Sequence, residues 1–593
     1  MPQDAGLPLA RGQDALVSEA VPVGAATVDV GSAAVVTDSP SPPMPAPPIP
    51  PTDDLKRVPD GGGSDGPTTP GRLGRLSARL PRLAPWAVAL VCVIGAVLRF
   101  DTSAHLWLDE SLTVEIARRP LSGLFAALRH DGSPPLYYLL LHYWIKVFGT
   151  GDVAVRALSG ALSIATLPLA WLAGRRVGEY AAQTRALAPR TAHRTGIASV
   201  IFFASSPYAI RYGSETRMYS LVVLLVLAFG LALMRALERP GRMSWALLTL
   251  ATAALAYTHY WTFLLLGSAA IGLWWRARRR PRDRARHLQA LAAMLAAAVL
   301  FLPWIPTFAF QMLHTGTPWA PPVHAQVLLD TVFSWAGPDS SGSLLALVLL
   351  ACAVLGLTAH PSVDGKRLDV DLHGRMPGKV LAGLWLMPLA LAYLAFLLGG
   401  SAYAERYTGI ALPAFLLLCA LGVGLLPDRR IAAGILIVAS ITGLMGGYTL
   451  AREERTQAGA IAGQIARLAR PGDVVAFCPD QLGPDVYRYL TRQPTPQLQM
   501  IAYADSSGPA LVNWVDYADR MEHASGAAFA EKVNRMAGPH HAIFLVRADG
   551  YRTLGNACSS ISDQLASFRD QTLIMPKRSL LEGASLYRYS TES

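Results

Sequence analysis

From Arg82 onward the chain alternates long apolar stretches with short polar ones. An α-helix rises about 1.5 Å per residue, so roughly 20 residues cross a hydrocarbon core of about 30 Å. Several stretches approach that length with no charge inside. The pattern predicts membrane-spanning helices over 83–100, 153–174, 196–210, 218–237, 244–258, 260–275, 288–305, 342–358, 379–399, 410–426 and 431–450. The run "PPLYYLLLHYWIKVFG", residues 134–149, is shorter and carries His142 and Lys146. It reads as a juxtamembrane or re-entrant helix.

After Leu450 the pattern changes. "GDVVAFC", "QLQMIAYA", "HAIFLVRA" and "SLYRYS" have the length and composition of strands. "GPDVYRYLTRQ" and "GAAFAEKVNRMAG" have helical spacing. The alternation predicts a small parallel sheet with crossover helices. Residues 1 to 70 are rich in Pro, Gly, Ser, Ala and Asp, cannot bury a core and read as a disordered tail with no signal-peptide layout. The expected organisation is a disordered cytoplasmic tail (1–70), an all-α polytopic membrane domain of about 11 transmembrane helices with juxtamembrane helices in its first outer loop (71–450), and a soluble extracytoplasmic α/β domain (451–593).

Composition agrees. Hydrophobic residues make up 52% of the chain and charged residues 16%, against about a quarter charged in soluble domains. The formal net charge of +11 resides largely in loop arginines. With eleven spans, the arginines before the first span, those from Arg175 to Arg194, the seven in "RARRRPRDRAR" (276–286), and those of "KRLDVDLHGRMPGK" and "PDRR" all face the cytoplasm. The basic balance is thus explained by topology and membrane lipid, and no nucleic-acid partner is expected. Of the five cysteines, only Cys478 and Cys558 lie off the spans. An extracytoplasmic compartment permits a bridge between them, which spacing alone does not decide.

The same topology gathers the unusual polar residues on the outer side. The first outer loop, 101–152, holds "LWLDESLTVEIARRP", with Asp109, Glu110 and Glu115, then His130, Asp131 and His142. The next holds "RYGSETRMY", with Arg211, Glu215, Arg217 and Tyr219. "YTHYW" contributes His259 and Tyr260, "SAYAERY" contributes Glu405, Arg406 and Tyr407, and the 305–341 loop adds Gln311, His314, Trp319 and His324. Carboxylates at a bilayer surface are costly unless solvated, paired or used. Asp109 reads three ways: a helix cap, the partner of an arginine from another loop, or a general base. Two acids beside several arginines and tyrosines favour the last, because a base with guanidinium clamps is what transfer from a lipid phosphate requires. His142 reads as a packing residue, His259 and Tyr260 as interfacial anchors, and Trp274 and Trp275 as an aromatic belt.

The segments "LWLDESLTVEIARRPL", "DGSPPLYYLLLHYWIKVFG", "VRALSGALSIATLPLAWLAGRRVG" and "SPYAIRYGSETRMYSLVVLL" resemble the bacterial C-type glycosyltransferases. More narrowly, they resemble the protein O-mannosyltransferases and lipid A aminoarabinose transferases. The likeness is dense over 95–240 and diffuse to 450, where "ERYTGIALPAFLLL" matches a later family pattern. It does not reach the tail or the C-terminal part. The resemblance implies a polyprenyl-phosphate sugar donor and an active site facing away from the cytoplasm. It makes Asp109 the base, with Glu110 and Glu215 as further catalytic acids. Arg217, Tyr219, Arg406, Tyr407, Asp131 and His259 become the donor-phosphate and substrate-binding set. Ser133 stands where the family commonly has histidine. One inverting displacement is implied. No cofactor is required and no metal ligands are assigned, although a divalent metal would be compatible.

The expected activity is therefore transfer of a sugar, mannose first, from polyprenyl phosphate to a cell-envelope glycan or lipoglycan at the outer face of the plasma membrane. Arabinosyl transfer and protein O-mannosylation rank behind it. The Arg- and Ala-heavy, Lys-poor composition points to a high-GC, actinobacterial source. Rival readings are a lipid-linked sugar flippase, which would place polar groups at mid-bilayer in repeated broken helices, and a non-catalytic scaffold. The C-terminal part, lacking a catalytic motif, reads as an acceptor-binding module or a structural lid.

Overall fold

A computed structural model describes residues 72–185, 190–316, 324–362, 367–399, 403–504, 508–551 and 553–591. The expected disordered tail and Trp319 lie outside the described residues. The helices before Glu453 are α1 (Arg72–Leu98), α2 (Leu108–Ala117), α3 (Leu121–Asp131), α4 (Leu136–Phe148), α5 (Asp152–Arg185), α6 (Arg190–Ser205), α7 (Pro207–Gly213), α8 (Tyr219–Glu238), α9 (Arg242–Ala256), α10 (Thr262–Arg279), α11 (Arg284–Phe301), α12 (Ile305–His314), α13 (Val327–Ala336), α14 (Asp339–Thr358), α15 (Gly378–Gly399), α16 (Leu412–Leu425) and α17 (Arg429–Arg452). A short antiparallel pair, β1 (Ala359–Pro361) with β2 (Leu368–Val370), joins α14 to α15.

A helix runs through every stretch that the apolar pattern marks. Among the described residues, six helical stretches are long and apolar enough to cross a membrane: Asp152–Thr184, Tyr219–Glu238, Pro281–His314, Asp339–Thr358, Gly378–Leu398 and Arg429–Arg452. Leu90, Leu250, Leu295, Leu347 and Ile437 are each more than half exposed on helix faces that would be costly in water. Lipid covers such faces, and the chain is a helical membrane protein. Two expectations change. The stretch 196–210 is broken at Ser206, whose hydroxyl accepts from the Ala209 amide and caps α7 behind Pro207. The helical stretch that begins at Pro281 runs on to His314, well past the expected loop start at 305.

α5 and α6 pack closely because their facing residues are small. A Cβ at Gly174 or Gly178 would collide with Ser199 or Ala192 of α6. Arg99, fully buried at the end of α1, donates to Ser163 Oγ at 2.7 Å, Gly95 O at 2.6 Å, Ala204 O at 3.0 Å and Phe203 O at 2.8 Å. It ties three helices together just below the first loop. α4, with 13 residues, spans only about 20 Å. It packs Tyr137, Tyr138 and Leu141 inward and leaves Tyr143, Val147 and Phe148 exposed. His142 Nδ1 lies 2.7 Å from Ala117 O at the end of α2, a packing role.

Beyond Glu453 come α18 (Ala458–Leu468), β3 (Val474–Cys478), α19 (Gly483–Leu490), β4 (Gln499–Ala502), α20 (Tyr517–His523), α21 (Gly526–Ala537), β5 (Ile543–Arg547), α22 (Ala557–Phe568), β6 (Asp570–Met575) and β7 (Ser585–Ser590). The sheet order is β4-β3-β5-β7-β6. It is mixed rather than parallel: β3 runs parallel to β4 and β5, whereas β7 is antiparallel to both β5 and β6. The short loop between β6 and β7 is too short for the dozen or more residues a parallel crossover needs. Cys478 at the end of β3 and Cys558 in α22 form a disulfide, Cα–Cα 5.4 Å.

The sheet module leans on the helical body through several polar contacts. Tyr489, Arg488 and Arg492 hold Asp152 at 2.7, 2.8 and 2.6 Å. The Trp514 amide donates to His130 O at 3.1 Å and the Asp516 amide to His314 O at 2.7 Å. The Leu106 amide donates to the Tyr489 hydroxyl at 2.6 Å.

Candidate functional site

α2 begins at the edge of the sheet module. Trp107, in extended conformation (φ −87°, ψ 175°), precedes it and supplies no side-chain cap. The first orphan amide, Leu108 N, donates instead to the Glu582 carboxyl at 3.0 and 3.2 Å. Asp109 is therefore not the cap, and its side chain is left for other work. Glu582 escapes a sequence reading because it lies hundreds of residues away in an unremarkable turn.

Asp109 Oδ2 is buried, has no hydrogen-bond partner, and lies 3.9 Å from Arg217 Nη2 and 3.8 Å from Arg406 Nη2. At those distances the charges attract, yet neither guanidinium hydrogen-bonds to the oxygen. Arg217 is steadied by Thr113 Oγ1 at 2.9 Å and by the Tyr138 hydroxyl at 3.4 Å. Tyr138 in turn donates to Asp131 Oδ2 at 2.9 Å, and burial raises the Asp131 carboxyl above its usual range. Asp131 thus orients Arg217 through Tyr138 rather than meeting Asp109. The Arg406 backbone carbonyl accepts from the Tyr208 hydroxyl at 2.7 Å. Its guanidinium lies 5.5 Å above the Tyr407 ring and 5.8 Å above that of Trp107.

An aromatic wall closes one side. Tyr219, Tyr407 and His259 meet with ring centroids 4.9 to 6.4 Å apart, and Trp261 lies 5.4 Å from Tyr407. The Tyr219 hydroxyl is buried without a partner. His259 is pushed down to about 3 by burial and by Arg217 and Arg406, so it stays neutral and cannot act as a cation for a phosphate. Its Nδ1 accepts from the Trp261 amide at 3.2 Å.

The two other acids behave differently from expectation. Glu110 takes a two-pronged grip from Arg156, at 2.7 and 2.5 Å, and its Oε1 also accepts the Thr216 amide at 2.8 Å. Both oxygens are committed, and Glu110 fastens α2 to the second loop. Glu215 pairs through Oε2 with Arg455, a cation from beyond the helical body, and its buried Oε1 has no partner. Arg455 also stands 5.7 Å over the Trp107 ring, on which Arg406 packs too. Trp107 thus bridges the Asp109 group and the Glu215–Arg455 pair. Glu405, raised by burial, is opposed chiefly by Arg211 and Arg455 rather than by Arg406. Gln311 braces α12 against the Leu128 carbonyl at 2.7 Å and takes no part in the cluster. Among the described residues, no three His, Cys, Asp or Glu side chains converge as metal ligands.

Breaking the Glu110–Arg156 pair leaves a buried charge unmatched. Glu110→Ala should lower unfolding stability by about 3–5 kcal/mol, measured as a drop in the detergent-solubilised melting midpoint. Stability equal to the wild type would contradict the fastening role.

Glu582 also hydrogen-bonds to Asp485, which accepts from Thr456 Oγ1 at 2.6 Å and from the Val486 amide at 2.9 Å. Both carboxyls are buried. Burial pushes Asp485 up to about 7 and Glu582 well above its usual range, the neighbouring Asp485 carboxyl adding to the latter. The folded state therefore holds a proton that the unfolded chain releases near pH 4. Stability contributed by this pair is complete below that pH and declines as pH rises toward about 7 and beyond. The melting midpoint should fall from pH 5 to pH 8 in the wild type and fall less in Asp485→Asn. Equal slopes would refute the shared proton.

Solved structures of ArnT share this architecture. ArnT from Cupriavidus metallidurans in the apo state aligns with a TM-score of 0.51 and 14% identity, over 85% of this chain and 98% of ArnT. ArnT bound to undecaprenyl phosphate gives 0.54 and 13%, with the same coverage. The arabinofuranosyltransferase AftD from Mycobacteria gives 0.46 and 15%, over 85% of this chain and 40% of its own. No protein-family model and no curated protein matches the sequence.

Proposed function

We propose that this chain, which has the fold of the C-type membrane glycosyltransferases, transfers a sugar from a polyprenyl-phosphate donor to a hydroxyl of a cell-envelope glycan or lipoglycan. The observation that carries the reading is Asp109 Oδ2, buried and without a hydrogen-bond partner between the guanidinium groups of Arg217 and Arg406. A carboxylate so placed accepts a proton, and the flanking cations receive an anion. The solved ArnT with undecaprenyl phosphate supports a lipid-phosphate donor for a chain of this fold.

In the reaction, Asp109 takes the proton of the acceptor hydroxyl. The acceptor oxygen attacks the anomeric carbon from the face opposite the phosphate. The bond from that carbon to the phosphate oxygen breaks, its electron pair leaves with the phosphate, and Arg217 and Arg406 neutralise the growing charge. A single displacement inverts the anomeric configuration. Tyr219, Tyr407 and His259 supply an apolar wall and neutral polar edges for the sugar, and Asp131 holds Arg217 in place through Tyr138. Glu215, with one open oxygen, orients the acceptor.

Mannose is the first choice of sugar, with arabinose and protein O-mannosylation behind it. The arginine-rich loops support an orientation with the N-terminus in the cytoplasm, eleven crossings and the active site outside. The contacts of the sheet module with the first loop and the end of α12 support the reading of 451–593 as a soluble domain on that same outer side. The test incubates purified protein with labelled polyprenyl-phosphate mannose, arabinose and other sugars plus envelope acceptors. Transfer from at least one lipid-linked donor, with inversion, is expected. No transfer from any of them would overturn the reading.

A further inference from the structure

The sheet module has no catalytic motif, and its contact with the helical body is not spread evenly. Trp107 and Leu108 belong to the same apolar cluster as Val474, Ala476 and Cys478 of β3 and Ile501 and Tyr503 beyond it. The lead into α2 is thus part of the module's own core. The backbone is fixed as well. Leu106 N donates to the Tyr489 hydroxyl at 2.6 Å, and Leu108 N to Glu582 at 3.0 and 3.2 Å. Glu582 is itself anchored: its amide donates to Arg455 O at 2.8 Å, and its carboxyl hydrogen-bonds to buried Asp485. In the helix, the next residue after Leu108 is Asp109.

An amide at a helix start needs an acceptor, and residues of the first turn follow the geometry of that cap. Most caps are local. Here the acceptor arrives from the far end of the chain, and the carbonyl-side neighbours Leu106 and Trp107 are gripped by the same module. The arrangement is more than a tether. A tether would hold the loop anywhere along 101–152, whereas this one holds the turn that bears the proposed base.

We propose that Glu582 is a positioning residue, whose carboxyl caps α2 through the Leu108 amide and so fixes Asp109 between Arg217 and Arg406. The sheet module is then a component of the active site, completing it from outside the helical body, and its apolar core takes in the chain's own Trp107 and Leu108. The proposal rests on the transferase reading of Asp109.

The test uses the full chain with Glu582→Ala, Glu582→Gln and Tyr489→Phe. Glutamine keeps an acceptor for Leu108 and a donor toward Asp485, so it mimics the protonated acid. Amide exchange over 106–117 should rise at least tenfold in Glu582→Ala and stay within about twofold of wild type in Glu582→Gln. With the donor that the wild type uses, kcat should fall at least tenfold in Glu582→Ala, with donor KM within about twofold, and Glu582→Gln should recover most of it. Tyr489→Phe removes one hydroxyl and should give a smaller change in the same direction. It decides the matter should Glu582→Ala fail to fold. Unchanged exchange in Glu582→Ala, or faster exchange with unchanged kcat, overturns the proposal, as does equal loss in the Ala and Gln variants. Failure of the transferase reading looks different: the wild type would turn over no lipid-linked sugar, while the exchange contrast persisted.

Discussion

Asp109→Asn should abolish most turnover while the donor still binds. Asparagine keeps the shape of the side chain and cannot accept the acceptor's proton. General-base catalysis contributes typically 10²–10⁴-fold, so kcat should fall by about 10³. Donor affinity should stay constant or increase, because a negative charge beside Arg217 and Arg406 no longer competes with a phosphate for them. Single-turnover transfer and donor binding, measured on the same preparation, separate the two effects. A scaffold or flippase has no use for the proton and would keep its activity in this variant. The contrast with Glu110→Ala is also diagnostic. Glu110 has both oxygens engaged by Arg156 and the Thr216 amide, so its removal costs stability first.

Arg406→Gln should lower kcat/KM by about 10²–10³, the usual loss when one preorganised charge stabiliser is removed. Arg406 is the cleaner of the two arginines to test. Arg217 also holds Thr113 and Tyr138, so its loss would disturb α2 as well as the phosphate. Lysine at position 406 should restore little, since a point charge cannot reproduce a planar fork braced against the Trp107 and Tyr407 rings. Kinetics across donor concentrations measure the loss. A change of less than about threefold would remove Arg406 from the phosphate site.

The periodicity of the apolar stretches reveals the helical body because burial in lipid demands long unbroken runs, and a helix does run through each one. The same pattern misjudges ends. Nothing apolar distinguishes α11 from α12, and the proline at 306 sits where a helix tolerates it, so the run continues to His314. In the sheet module, "DQTLIM" is polar and exposed at the sheet edge, and so β6 is not recognisable from alternation.

The site was partly legible. Asp109, Arg217, Arg406, Tyr219 and Tyr407 do come together, because loops on one side of a bundle converge. The family resemblance could not divide labour between the adjacent acids. That division depends on Arg156, an arginine inside an apolar stretch. Its cost in lipid demands a buried carboxylate partner, which is the signal that could have assigned Glu110 to structure. Arg455 and Glu582 carried no such signal, since both lie in polar sequence and act only through the fold.

The most direct test is a structure of the full-length Asp109→Asn protein with undecaprenyl phosphate. The phosphate should lie within hydrogen-bond distance of both the Arg217 and Arg406 guanidinium groups, with the residue 109 side chain facing the space where an acceptor hydroxyl would enter. A phosphate bound elsewhere, with Arg217 and Arg406 still turned toward position 109 alone, would contradict the account.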